Sequence, residues 1–194
     1  MRGYNFSEPV RRALVGARRE AAARGSTSIT TAHVLLGLLE DPTTLAGHAI
    51  ACRSVDAVHL AARLRDSIEP AGAPGTADAN VPYADEAKRA IERAMGAARD
   101  LGDDYVATAH LLLGVAADAQ CAGGLSLESV GLSTSVLRDE YMRIRAVEPP
   151  EALPAALLAA AGRNEGWRAT GRVMFVVVAL SVLAVMVAVW VRAA

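Results

Sequence analysis

One stretch of this chain is written twice. Shifted by 77 positions (6 to 83), the segment Phe6–Asp41 lies on Tyr83–Asp118 without a gap. Thr31-Ala32-His33 falls on Thr108-Ala109-His110, Leu35-Leu36-Gly37 on Leu112-Leu113-Gly114, Gly25 on Gly102 and Ile29 on Val106. Agreement at small, apolar and turn positions over a whole segment marks a duplicated structural unit. A solenoid gains its stability by stacking several neighbours, and two copies are too few for that. The duplication therefore predicts one pseudo-symmetric domain.

Each copy reads as helix, turn, helix. Val10, Leu14, Ala17 and Ala21 recur at helical spacing, and Ala87, Ile91, Ala94 and Ala98 repeat the pattern. That spacing gives one apolar stripe per helix. Arg11, Arg12, Arg18 and Arg19, with Glu8 and Glu20, occupy the other face of the first helix. They read as a solvated face with local ion pairs. Gly25 and Gly102 sit where glycine ends a helix. Thr30 or Thr31, and Thr108, offer a hydroxyl oxygen to the next helix start. Leu35, Leu38 and Leu39, and Leu112, Leu113 and Val115, supply the core faces of those second helices.

Further helices complete each unit. In the first copy they cover residues 44–52 and 54–68, with Val55, Val58, Ala62 and Leu64 as apolar positions. In the second, residues 132–145 use Val136, Leu137, Met142 and Ile144. The run Cys121-Ala-Gly-Gly-Leu is a weak helix, because each interior glycine costs about 1 kcal/mol against alanine. The glycine- and proline-rich residues 70–82 form a loop between the copies.

Composition agrees with an all-α fold. Apolar residues make up 53% and aromatics only 4%, so the apolar content is aliphatic and alanine-rich. Alanine favours helices, whereas strands prefer β-branched and aromatic side chains. The net charge of −1 gives no basic footprint for nucleic acid. Two cysteines exclude a disulfide scaffold. Cys52 and Cys121 read as reduced, buried or half-buried thiols. Lys88 is the one lysine, and it sits in Ala-Asp-Glu-Ala-Lys-Arg-Ala with no glycine before it and no hydroxyl after it. A Walker A loop needs a lysine in that setting to reach the nucleotide phosphates, so this chain carries no such ATPase site.

Val173 to Val191 runs without a charge, and Ser181 is its one hydroxyl. As a helix it is about 28 Å long, close to the roughly 30 Å hydrocarbon core of a bilayer. The expectation is a transmembrane helix over residues 172–192 acting as a carboxy-terminal anchor. A Pro/Ala-rich tether over 146–171 precedes it. Arg163, Arg168 and Arg172 flank it on the near side and Arg192 on the far side, and the positive-inside bias then places the amino-terminal part in the cytoplasm. Trp167 and Trp190 suit the interfacial belts. The first residues lack an apolar signal core.

These residues carry a resemblance. Phe6-Ser-Glu-Pro-Val-Arg-Arg-Ala-Leu with Ile29-Thr-Thr-Ala-His-Val-Leu-Leu-Gly-Leu-Leu resembles the amino-terminal repeat (Clp R) domain of Clp unfoldases. Val81-Pro-Tyr-Ala-Asp-Glu-Ala-Lys-Arg-Ala-Ile with Tyr105-Val-Ala-Thr-Ala-His-Leu-Leu-Leu-Gly resembles its second half. The resemblance implies an all-α domain over 1–145. Its two four-helix repeats would run over about 6–69 and 83–145, followed here by the anchor instead of ATPase rings. It also implies recruitment of substrates or adaptors. In family members that bind phosphorylated arginine, a glutamate in each repeat pairs with the guanidinium. Ala32 and Ala109 stand at those positions, and a methyl group cannot supply two parallel hydrogen bonds. A neighbouring family threonine becomes Ser7 in one repeat and Ala84 in the other. Phosphoarginine binding in the family manner is therefore not expected. If a ligand groove exists, Phe6, Ser7, Tyr83 and Lys88 are the candidates, with core packing the competing role for Phe6 and Tyr83.

No catalytic constellation is legible. His33 and His110, equivalent in the repeat, read as packing residues with locally bonded rings, and His48 and His59 stand alone. Neither metal-ligand spacing nor a nucleophile elbow occurs. Asp103-Asp104 and Asp139-Glu140 read as surface charge, since sequence neighbours do not face each other on a helix. The expected function is a non-catalytic, membrane-tethered module that binds proteins or peptides, with no cofactor, metal or nucleotide. Two other readings stand beside it. One is a regulator in trans that recruits or competes with a Clp ATPase at the membrane. The other is a helical nucleic-acid factor, which the near-zero charge disfavours.

Overall fold

The computed structural model describes residues 5–69 and 81–147. Within them the first half builds α1 (Glu8–Ala23), α2 (Thr31–Leu39), α3 (Leu45–Ala51) and α4 (Ala57–Ser67). The second builds α5 (Asp85–Asp100), α6 (Thr108–Ala116), α7 (Ala122–Ser129) and α8 (Thr134–Val147). The same shift that aligns the sequences carries the start of α3 onto α7 and the start of α4 onto α8. The duplication thus extends well past Asp41. Even the left-handed turn repeats, with Ser54 at φ 56° where Gly131 has φ 76°.

The core rests on two close helix pairs, α1 on α2 and α5 on α6. Alanines at 13, 17, 87, 90 and 94 are buried and keep the first helix of each pair slim. Gly37 and Gly114 let the second helix come against its backbone. A Cβ on Gly37 would stand 2.0 Å from the Ala13 carbonyl oxygen, and one on Gly114 2.1 Å from that of Ala90. Leu35, Leu36, Leu111 and Leu112 are buried in one shared hydrophobic core. No helix among the described residues is long and apolar enough to cross a membrane. The apolar run 173–191, the tether 146–171 beyond Val147, and residues 70–80 of the expected loop lie outside the described residues.

The halves are stitched together reciprocally. A short strand β1 (Asn5–Phe6) pairs in parallel with β2 (Tyr105–Val106), and Ile29 bridges Tyr83 in the same sense. Each half thus offers the segment before its first helix to the segment before the other half's second helix. The caps cross over too. The Ala46 N–H at the start of α3 donates to Thr108 Oγ1 at 3.1 Å, and the Gly123 N–H at the start of α7 donates to Thr31 Oγ1 at 3.2 Å. These amides have no partner within their own helix, so each helix start depends on a hydroxyl from the opposite repeat.

Several sequence expectations change here. Thr108 lies inside α6 and serves the other repeat; Ala107 holds the N-cap position of its own helix. In α4, Val58 is 80% exposed and Ala62 is also exposed, while Leu60, Ala61 and Leu64 face the core. Asp56 sets this phase: its carboxylate accepts from the Val58 and His59 N–H groups, so the helix begins after it and Val58 turns outward. In α8 the buried apolar positions are Leu137, Tyr141 and Ile144, with Met142 exposed. Cys121 is buried but Cys52 is exposed. The arginine face of α1 is not only local. Glu8 holds Arg11, but Arg12 reaches Asp41 at 3.1 Å, Arg19 reaches Glu40 at 2.7 Å and Glu20 holds Arg65 at 2.6 Å, tying α1 to the end of α2 and to α4.

Candidate functional site

The first turn of α2 brings together polar side chains from both repeats. Thr30 caps the helix, and the Thr30 N–H donates to His33 Nδ1 at 3.0 Å while its hydroxyl lies 2.9 Å from the same nitrogen. With Nδ1 accepting, the proton sits on Nε2, which faces Ser26 Oγ at 3.3 Å. Burial first, and then the charge of Arg24, hold the His33 ring below its ordinary pKa, so it is neutral at pH 7. From the other repeat, Glu86 Oε1 accepts from the Thr31 N–H at 2.9 Å and from its hydroxyl at 3.1 Å. A carboxylate there complements the partial positive charge of the helix start. Cys121, at the N-cap of α7, is pushed up to about 11 by burial, with the Glu86 and Asp118 carboxylates adding to it.

An open cleft of about 340 Å³ lies against this turn. Ser26, Thr30, Ala32 and His33 line one side, and Ile68, Glu69 and Glu86 contribute from α4's end and from α5. Ala32 offers only a methyl group to it.

The second repeat uses the equivalent ground differently. His110 Nδ1 accepts from the Ala107 N–H at 3.0 Å, as His33 does from Thr30, but Nε2 meets Asp103 Oδ2 at 3.0 Å. Asp103 also accepts from the Tyr141 hydroxyl at 2.9 Å and from Arg145, whose Nη2 lies 2.9 Å from Oδ1. Arg145 donates in addition to the Leu101 carbonyl at 2.8 Å, and the Tyr141 ring packs edge-on against His110 with centroids 5.0 Å apart. The side chain of Asp103 is 7% exposed, so it is the hub of a buried network and not the surface charge that the sequence suggests. Glu140 is likewise buried and held by Arg143 at 2.5 Å. That hydrogen bond keeps the Glu140 carboxyl below the usual range.

The four residues singled out from the sequence take other places. Phe6 pairs with Val106 in the strand ladder, and Tyr83 pairs with Ile29; both are half-buried against the core. Ser7 is buried at the N-cap of α1, with its hydroxyl 3.5 Å from the Val10 N–H it serves. Lys88 is exposed and paired with Asp85 at 2.9 Å. None of the four lines the cleft. Ala109, like Ala32, is buried. The sequence marks Glu86 only through the difference between the repeats, with Pro9 at its equivalent position. Among the described residues no group of three or more His, Cys, Asp or Glu side chains is placed to hold a metal ion.

Residues 5–129 match the family model described as the Clp repeat (R) N-terminal domain. The chain is 30% identical over 141 residues to the negative regulator of genetic competence ClpC/MecB of Bacillus subtilis. It is 27% identical over 141 residues to the chaperone protein ClpB of Oceanobacillus iheyensis. Each alignment covers 72% of this chain and only 17% of the relative. Among solved structures, the N-terminal domain of ClpD from Arabidopsis thaliana matches with a TM-score of 0.55 at 22% identity, covering 72% of this chain and 96% of that one. The N-domain of ClpV from Vibrio cholerae matches with a TM-score of 0.62 at 14% identity, covering 75% and 87%. At these identities the structures bear on the fold alone.

Proposed function

The chain belongs to the Clp repeat N-terminal domain family, and from that membership we propose a non-catalytic module that binds a protein or peptide partner while tethered to a membrane through residues 172–192. The carrying observation is the family match over residues 5–129, since domains of this family serve as protein-binding parts. The uncharged run 173–191 supports the tether. The arginine bias of its near flank supports a cytoplasmic position for the domain. Fixing a weak binder to a surface raises its effective concentration toward other components of that surface.

Two measurements test this reading. The intact chain should stay with the membrane fraction through a carbonate wash, and release into the supernatant would remove the tether. The full chain, gently solubilised, should retain specific protein partners that a variant unfolded by a core substitution does not. A partner profile matching that of the unfolded variant would remove the binding module.

A second reading is favoured by the 30% identity to ClpC/MecB over 72% of the chain. Sharing that domain's surface, the protein would recruit a Clp ATPase or compete with it for partners at the membrane. Co-purification of an ATPase ring after mild solubilisation is the expected result, and its absence would exclude the recruiting form.

A further inference from the structure

We propose that the outer face of α1 docks on an anionic lipid surface, with Val15 entering the headgroup layer and the arginines around it taking lipid phosphates. The encounter rests on the tethered reading above, and the proposal names the surface that the domain meets.

Val15 is 68% exposed in the middle of α1. Its neighbours on the helix surface lie three and four positions away on either side. They are Arg11, Arg12, Arg18 and Arg19, all exposed. One aliphatic side chain is thus ringed by four guanidiniums. The duplicated fold does not ask for this arrangement. The 77-residue shift carries Val15 onto Glu92, Arg18 onto Met95 and Arg19 onto Gly96 in α5, which holds the same place in its own pair. Valine is also a poor choice for an exposed helical position, because its branched side chain loses rotamer freedom without gaining burial.

Charge points the same way. Glu8, Asp41 and Glu40 hold three of the four arginines, but the pairs are exposed and contribute little. Each guanidinium keeps further donors. No ion pair among the described residues engages Arg18. Arg24 and Arg65 join the cluster through Glu20, so six guanidiniums stand against four carboxylates. Over the rest of the described residues carboxylates outnumber cations. An anionic surface therefore attracts this face and repels the remainder, which sets the orientation. A guanidinium forks onto two oxygens of one phosphate, and an aliphatic side chain in a basic surround is the chemistry of an interfacial contact. A helix face is convex, so it suits a deformable bilayer surface better than the pocket of a folded partner. Residues 148–171 span at most about 80 Å even when fully extended. On the tethered reading the domain thus stays within reach of the headgroups, where a weak contact suffices.

The test uses the full chain with Cys52→Ser, which removes the exposed thiol, and Val15→Cys carrying an environment-sensitive fluorophore. Cys121 is buried and protonated and stays unlabelled. With vesicles of phosphatidylcholine and phosphatidylglycerol the emission should shift to the blue and become shielded from an aqueous quencher. Pure phosphatidylcholine should give neither change, and salt should reverse both. Arg18→Glu should reduce the shielded fraction severalfold with Tm unchanged. The same label on Val58→Cys, at an 80% exposed position of α4, should not respond. Equal responses to the two kinds of vesicle, or at the two labelled positions, would overturn the proposal. An equal shift produced by soluble polyglutamate without vesicles would overturn it too, and would assign the face to an acidic protein. Retention through a carbonate wash reads the tether separately. A retained chain with a silent label keeps the tether and loses this face. A chain that washes off, but whose label responded beforehand, loses the tether and keeps the face.

Discussion

Gly37 gives the sharpest test of how the first two helices of a half are packed. Its Cβ position lies 2.0 Å from the Ala13 carbonyl oxygen, and the next nearest atom is the Ala17 nitrogen at 2.9 Å. A carbon and a carbonyl oxygen approach to roughly 3.3 Å. Gly37→Ala must therefore part α1 from α2 by about 1.3 Å, and the obstacle is backbone, which cannot swing aside. A radial gap near 1 Å forfeits a quarter to a half of each dispersion contact. The affected seam holds Val10, Ala17 and Leu35, all 0% exposed. Overpacking usually costs 1–3 kcal/mol, and a backbone clash belongs at or above the top of that range, so about 3 kcal/mol is expected. In a domain of this size that lowers Tm by roughly 10 °C. Gly114→Ala, with its Cβ 2.1 Å from the Ala90 oxygen, should behave alike. Gly96 is the control: it lies inside α5 with nothing within 4 Å of its Cβ position. Gly96→Ala should stabilise by about 0.5–1 kcal/mol through helix propensity and reduced freedom of the unfolded chain. Urea and thermal unfolding followed by circular dichroism measure all three. A Gly37→Ala protein within about 2 °C of wild type, or a Gly96→Ala protein as damaged as Gly37→Ala, would refute the reasoning.

The buried Asp103–Arg145 pair should show strong coupling. Asp103→Ser should cost about 3 kcal/mol by stranding the guanidinium and the Tyr141 hydroxyl. Adding Arg145→Ile, which reproduces the first repeat's residues, should recover about 1 kcal/mol or more relative to additivity in urea unfolding, and simple additivity would contradict the network. The two thiols should separate on labelling of the native protein. Exposed Cys52 reacts with an alkylating agent, whereas Cys121, protonated and buried, reacts only after denaturation, so equal native rates would count against its placement. Acid should weaken the fold through His33. Its folded pKa lies below the ordinary 6.5, so the unfolded chain takes up the proton first. Its contribution is complete above about pH 6.5 and drains away as pH falls through the folded value. Tm should drop between about pH 7 and pH 5, with a shallower slope in His33→Gln; identical slopes would rule the effect out.

The parts of the fold that were legible in sequence are those written in local period. The stripes of α1 and α5 are plain, and His33 and His110 read correctly as locally bonded rings because they sit three residues after their N-caps. The duplication was visible for only part of its length, since α3, α4, α7 and α8 match in position more than in residue type. The stripe of α4 is not legible because its phase hangs on Asp56, one carboxylate at the helix start. The roles of Thr108, Asp103 and Glu140 are hidden for a different reason. Their partners lie at Ala46, at His110, Tyr141 and Arg145, and at Cys52 and Arg143, and all but His110 and Arg143 are remote in the chain. Only the folded arrangement makes them structural. The cleft was hidden likewise, because Glu86 and His33 come from opposite repeats.

The exchange of strands and caps carries its own corollary. The N–H of Ala46 and that of Gly123 each find an oxygen only across the pseudo-two-fold axis. Half of this polypeptide, on its own, would be left holding one side of every such handshake. Two identical halves, facing each other, would satisfy them all. The domain is in that sense a homodimer whose partners share a single covalent thread, and its halves differ inside: one holds Arg145 against Asp103, and the other has Ile68 and Ser26 at the equivalent positions.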